Sequence, residues 1–255
     1  MTRDETRDRP VGRGEPSSSY TGEASGWNEL AEKLSMLSRD LQGETDVEGT
    51  LQAIVQAATG TVPGAEYSSI SAVGKRRVVH TRAATGELAR AVDRAQYETG
   101  QGPCLDALYE HRTVRLPDLD VEPRWPRFAA QAREVGAASM LAIQLYVHGQ
   151  DLGALNLHST TRDAFSDESE QIGLLFAAHA AVAIAGAEND EHLHMALTSR
   201  DIIGQAKGIL IERYKISAHE AFRLLVVTSQ TTNIKLHDVA EYLTRTGQLN
   251  TRDTA

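Results

Sequence analysis

The chain has 255 residues, 41% of them hydrophobic and 5% aromatic, with a formal net charge of −9, enough for one large or two smaller domains. Its acidity excludes capture of polyanions by bulk charge, and it has neither an unbroken run of about eighteen apolar residues nor an N-terminal apolar h-region. A single cysteine, Cys104, excludes an intramolecular disulfide and a thiolate metal cluster, so the chain is expected to be cytoplasmic, with no membrane as partner.

Residues 1–26, with Pro10, Pro16 and mixed charges but no apolar period, are predicted to be disordered. A helical period follows through Leu30, Leu34, Leu37 and Leu41. Thr45 or Asp46 caps a second helix around Leu51–Ala58, ended by Gly60 and Pro63. Short β-type runs at 67–73 and 76–82 flank a Gly74-Lys75 turn, and 86–97 reads as a helix. The segment from Glu98 to Leu108 holds Gly100, Gly102 and Pro103 and is predicted to be a tight loop. A strand at Thr113–Leu116, a covering loop at 117–126 and a helix at 127–135 come next.

The clearest strands are 139–147 and 152–158, joined by a hairpin at 148–151. Leu141, Ile143, Leu145 and Val147 alternate onto one face, and Gln144 and Tyr146 onto the other. Leu155 and Leu157 likewise oppose Asn156 and His158. The polar face is either solvated or the wall of a pocket.

Ser166 is a good N-cap for a long helix whose stripe is Ile172, Leu175, Phe176, His179, Val182 and Ala183. His179 is expected to be a hydrogen-bonded core histidine. The helix is apolar on more sides than its own sheet can cover, so a homodimer along it is predicted. His192 and His194 read as solvated. No Gly or Pro breaks the chain before Arg200, so the helix runs on through Gly204 and Gly208 to Arg213.

Each glycine there costs about 1 kcal/mol against alanine. Ile202, Ile203, Ala206, Ile209 and Leu210 form the core stripe, while Arg200, Gly204, Lys207 and Gly208 fall opposite. Such a strip suits either close approach of a phosphate backbone or base, or tight packing of another helix. Ser217 and Glu220 form a capping box for a helix with Ala221, Phe222, Leu225 and Thr228 inward. Asn233 is expected to cap a third helix with Leu236, Val239, Ala240 and Leu243 inward, ended by Gly247. Residues 192–250 carry seven Lys and Arg against five acids, a basic unit on an acidic chain.

The elements Arg200 to Arg213, Ala221-Phe222 with Leu225 and Ser229, and Asn233 to Leu236 with Val239-Ala240 resemble, as a set, the ANTAR family of bacterial RNA-binding antitermination domains. The order of elements over about 45–187, with Gly100-Gln-Gly102-Pro103-Cys104 and Ala164-Phe-Ser-Asp-Glu168, resembles a GAF sensor domain. The resemblance implies an α+β fold: a GAF-type six-stranded antiparallel sheet with helices on one face and a small-molecule pocket on the other, a long coiled-coil-like connecting helix, and a C-terminal three-helix bundle. The predicted division is a tail at 1–26, a GAF domain at 27–187, an ANTAR domain at 188–250 and a tail at 251–255.

The resemblance further implies hairpin RNA in nascent transcripts as partner. Arg200, Gln205, Lys207, Gly208, Arg213 and Lys235 are candidate RNA contacts, and Ala206, Ala221 and Phe222 core positions. RNA loops offer unstacked bases that basic and aromatic side chains hold. Tyr214 and Tyr242 are either stacking residues or edge-of-core aromatics. The sensed signal is a small molecule or redox state. Cys104, Gln144, Tyr146, Asn156 and His158 are candidate ligand contacts, and no cofactor is named. No paired-carboxylate, phosphate-loop or triad arrangement is visible, so no enzyme is expected; one cysteine falls short of the thiol pair that methionine sulfoxide reduction needs. The alternative is a DNA-binding regulator, disfavoured because the third helix offers only Lys235, His237 and Arg245 to bases.

Overall fold

The computed structural model describes residues 31–249 apart from 34, 37, 38, 40, 42, 43, 45, 75–77, 111, 112 and 148. The N-terminal tail predicted to be disordered, the C-terminal tail, part of the first helical period, the Lys75 turn and His148 lie outside those residues. The chain divides into two compact units, Met1–Ala183 and Ile184–Ala255.

The first unit is built on an antiparallel sheet of β1 (Tyr67–Val73), β2 (Val79–Ala84), β3 (Thr113–Leu116), β4 (Ser139–Val147) and β5 (Gln150–Ser159), in the order β2-β1-β5-β4-β3. The described residues form five strands where six were expected. The β4–β5 hairpin sets the register: Leu141 faces Leu157 and Ile143 faces Leu155, so the leucine rows fall on one face. Its turn is tight, with Val147 opposite Gln150 and Gly149 at φ 78°. A bulge at Leu145/Tyr146 shifts the register near the hairpin mouth. Tyr146, beside it near the hairpin end, is 63% exposed, so this candidate ligand residue does not line the interior.

The leucine face lies under α1 (Val47–Thr61) and the first turns of α5 (Asp167–Tyr214). Asp46 caps α1 by accepting from Gly49 N at 2.7 Å. Gly173 on α5 lies so close to the sheet that a Cβ there would stand 2.6 Å from Ile143 Cδ1. The opposite face is not solvated. It is covered by α2 (Glu87–Thr99), α3 (Pro103–Glu110) and α4 (Pro126–Glu134), with Val92, Phe128, Trp125, Met140 and Ala142 in one core cluster. The segment 117–126 closes over this core through Leu119 and Trp125.

Pro103–Glu110, read from sequence as loop, is a helix. Pro103 stands at its first position, where a missing N–H costs nothing. Gly100 and Gly102, at φ 64° and 138°, make the sharp link from α2.

On α5 the buried apolar side chains near the sheet are Phe176, Ala177, Ala180, Ala181 and Ile184. The predicted stripe is therefore only partly right: Leu175 and Val182 are 40% and 64% exposed. His179 is exposed and bonded through Nδ1 to Leu175 O at 2.8 Å, so it is not a core residue. By length and composition α5 could cross a membrane, which counting unbroken apolar runs did not register. About a third of its most apolar window is buried in the protein.

The second unit comprises the last turns of α5, α6 (Ala218–Thr232) and α7 (Leu236–Thr246) around Ala206, Leu210, Ala221, Leu225, Val239, Ala240 and Leu243. Ser217 and Glu220 form the expected capping box. Gly247, at φ 71°, ends α7 as expected. Two expectations fail. Phe222 is 40% exposed, because the buried stripe of α6 runs through Ala221, Leu225 and Thr228 and leaves position 222 at its margin. Asn233 does not start α7; in the left-handed conformation it ends α6, and Lys235 is the N-cap of α7.

Candidate functional site

In the sheet unit the polar residues of β1, β2 and β5 meet α2 in one buried cluster. Asn156 and His158 share a face of β5, and Ser69 and Ser71 lie beside them on β1. α2 is amphipathic, yet its buried stripe includes Asp93 and Gln96 beside Ala89 and Val92. Asp93 Oδ2 accepts from Thr81 Oγ1 at 2.8 Å, and its Oδ1 from Asn156 Nδ2 at 3.1 Å. The same amide donates to Ser71 Oγ at 2.8 Å, and Ser71 bonds the Tyr97 hydroxyl at 2.6 Å. His158 Nε2 lies 3.3 Å from Ser69 Oγ and 4.0 Å from Asp93 Oδ1.

Burial sets the charges. It pushes the Asp93 carboxyl up to about 6, against the hydrogen bonds that favour the anion. It holds His158 down at about 3, so the ring is neutral. We read the 4.0 Å approach of His158 to Asp93 as a neutral contact, because it exceeds hydrogen-bond reach and both groups are fully buried. Burial and the Asp93 charge push the Cys104 thiol up to about 12 and raise the Tyr97 phenol further. Cys104, at the start of α3, is sealed, and its backbone N–H donates to Gln96 Oε1 at 2.8 Å.

The structure thus brings Cys104, Asn156 and His158 together and leaves out Tyr146. Gln144 is turned toward the hairpin, donating to Asp151 Oδ1 at 2.7 Å. The sequence reading missed Asp93, Gln96, Ser69, Ser71, Thr81 and Tyr97. The signal for two of them was available: Asp93 and Gln96 fall at core spacing on α2.

In the helical unit, Gly204 and Gly208 are exposed on α5, and a Cβ on either would meet nothing within 4 Å. Among the described residues, no helix of its own unit packs against this strip. Arg200 is exposed and Lys207 half-buried beside it. Gln205, Gly208, Ile209, Glu212, Arg213 and Thr244 line an open groove of about 760 Å³ between α5 and α7. Arg213 donates to the Gly247 carbonyl and is thereby committed to the end of α7. Lys235 is exposed at the α6–α7 turn and does not line the groove. Tyr214 is 52% exposed, whereas Tyr242 is half-buried with Arg245 6.0 Å from its ring centre. His237, Asp238 and Glu241 place ligand atoms within 4.8 Å of one another at the start of α7. There the positive end of the helix dipole works against a cation.

The family model for the GAF domain matches residues 44–185. The chain belongs to the GAF family. Behind the GAF domain, the model for the ANTAR domain matches residues 191–243. A sensory GAF domain followed by an ANTAR domain makes the chain a signal-sensing regulator of the antitermination class. No curated protein matches it.

Solved structures agree on the GAF fold. The GAF domain of a phosphoenolpyruvate-protein phosphotransferase from Coxiella burnetii is 18% identical, with a TM-score of 0.50 over 64% of this chain and 96% of that one. Bacteriophytochrome RpBphP3 from R. palustris is 15% identical, with a TM-score of 0.54 over 78% of this chain and 46% of that one. Free methionine-R-sulfoxide reductase from Neisseria meningitidis, solved with its substrate, is 16% identical, with a TM-score of 0.50 over 63% of this chain and 91% of that one. At these identities the likeness is one of fold alone.

Proposed function

We propose that the chain is a signal-responsive regulator whose ANTAR domain, over about 188–250, binds hairpin RNA in nascent transcripts, and whose GAF domain, over about 27–187, takes a small molecule. The observation that carries the RNA reading is the bare strip of Gly204 and Gly208 beside Arg200 and Lys207. Two helical glycines that the fold itself does not use suit a partner that must approach the backbone closely. Gln205 and Gly208 border the adjoining groove, and Lys235 adds charge at the α6–α7 turn. Arg213 contributes by holding α7 to α5 as much as by its charge.

Gel-shift with hairpin RNA tests this. Binding is expected to weaken with salt and to be lost or strongly reduced in Lys207→Ala, with the salt slope falling by roughly 0.7–0.9. Unchanged binding in Lys207→Ala removes the surface assignment. Excess duplex DNA is expected not to compete; effective competition would favour the DNA-binding alternative.

The reading is of a regulator and not an enzyme, and of a small-molecule signal rather than a redox one. Cys104 is sealed and held protonated, the opposite of a reactive thiol. A homodimer through α5 completes the proposal. Positions 175, 179, 182, 186, 189 and 193 alternate at four and three residues, and Leu175, Val182 and Leu193 among them are exposed apolar side chains. One helix then leaves the GAF sheet, forms the dimer seam and ends as the RNA-facing strip, so a signal altering the seam reaches that strip.

A further inference from the structure

Three buried polar atoms beneath α2 and α3 make no hydrogen bond to the described protein: Asn156 Oδ1, His158 Nδ1 and Gln96 Nε2. All three residues are 0% exposed. Leaving such a group unpaired costs about 1–3 kcal/mol, so three around one cluster call for a cause. Their chemistry is specific. The Asn156 amide is oriented by its neighbours, because its Nδ2 faces the Asp93 carboxylate and the Ser71 hydroxyl. Its oxygen is therefore left as a free acceptor. With His158 neutral and its Nε2 beside Ser69 Oγ, Nδ1 carries a lone pair when Nε2 bears the proton. Beside them Asp93 is a buried carboxyl whose hydrogen bonds come from the hydroxyls of Thr81 and Ser69 and the Asn156 amide, with no cationic side chain bonded to it among the described residues. The nearest influence of a basic side chain is the charge of Arg90, an exposed residue on α2.

We propose that this cluster is the seat of a small organic cation, a primary ammonium or amidinium head whose N–H groups are received by the Asp93 carboxylate, Asn156 Oδ1 and His158 Nδ1. Gln96 Nε2 is left to donate to an acceptor elsewhere on the same ligand. An ammonium has three N–H donors and the cluster offers three acceptors of that kind. A carboxylate or phosphate would instead meet Asp93 and two lone pairs, and is rejected by the same atoms. The inference rests on the reading of the GAF domain as a small-molecule sensor and names the class of molecule. Gly100 and Gly102 give the link from α2 to α3 its turn, and a Cβ at Gly102 would strike Gln96 at 2.5 Å, so this link packs closely against the cluster.

Thermal denaturation of the full chain with simple probes tests the proposal. Methylammonium, ethanolammonium and acetamidinium chlorides are compared at matched ionic strength with acetamide, acetate and sodium chloride. The cations are expected to raise the melting temperature by several degrees, and the neutral and anionic probes to leave it unmoved. The rise is expected to disappear in Asp93→Asn and to shrink in Asn156→Leu; the second variant keeps the test open should the first fold poorly. Cations that stabilise Asp93→Asn as well as the parent, or no better than sodium, overturn the proposal. Stabilisation by acetate or acetamide that Asn156→Leu abolishes also overturns the cation while leaving the small-molecule reading standing. If no probe acts and native mass spectrometry of the purified chain shows no co-purified molecule, both fall.

Discussion

Asp93 and His158 are two ionisable groups buried together with opposite consequences for stability. Asp93 has a carboxyl raised from 3.8 to about 6 in the folded chain, so the native state holds the extra proton between those values. Its contribution is present below about 4 and is lost as pH rises through about 6. His158 is lowered from 6.5 to about 3, so the unfolded chain binds the extra proton. Its contribution is present above about 6.5 and is lost as pH falls toward 3. From pH 6 to 4 the two oppose each other. His158→Gln is therefore expected to make the urea midpoint rise on acidification relative to the parent, and Asp93→Asn to make it fall. Parallel pH profiles for parent and variants would show that these groups titrate as they do in the unfolded chain. Cys104 gives a simpler expectation. With its thiol up at about 12 and no exposure, iodoacetamide at pH 8 is expected to label it only as fast as the chain opens. Rapid stoichiometric labelling of the folded chain would revive a redox role.

Among the elements, α6 and β4–β5 were the most legible in the sequence. Strict alternation gave both strands and their faces, because period two leaves only one way to bury the leucines. The capping box at Ser217 and Glu220 was readable because both partners are local. Ser217→Ala is expected to cost about 1 kcal/mol of ANTAR-domain stability, read as a lower melting temperature without change in the GAF transition. A loss confined to the GAF transition would mean that the cap is idle. What escaped the sequence was tertiary. Pro103 looked like a breaker but is a helix start. Asn233 looked like the start of α7 but its left-handed backbone ends α6. Tyr146 alternates onto the polar face as read, but it lies near the hairpin end of β4, where it is exposed. Asp93 and Gln96 were not singled out in the sequence, since a carboxylate and an amide on a helix are usually solvated; their place in the stripe of Ala89 and Val92 was the clue.

At the scale of the whole molecule, α5 serves the sheet, the proposed dimer seam and the three-helix unit in turn. Its exposed apolar side chains lie where no residue of its own unit covers them. Val182→Glu is expected to dissociate the dimer in sedimentation while leaving the GAF melting transition within about 0.5 kcal/mol, since Val182 is 64% exposed. A variant that stays dimeric would place the seam elsewhere. At the other end of the same helix Gly204 and Gly208 each cost helix stability, and in the proposed function they leave the backbone open to RNA. The most direct measurement is Gly208→Ala in the full chain, assayed both for thermal stability and for hairpin RNA binding. A methyl there meets open space within the protein and removes a glycine from a helix interior, so stability is predicted to rise by up to about 1 kcal/mol. RNA affinity is predicted to fall at least tenfold, because the added methyl stands where the RNA must approach the backbone. A more stable variant that binds hairpin RNA as tightly as the parent would contradict the account.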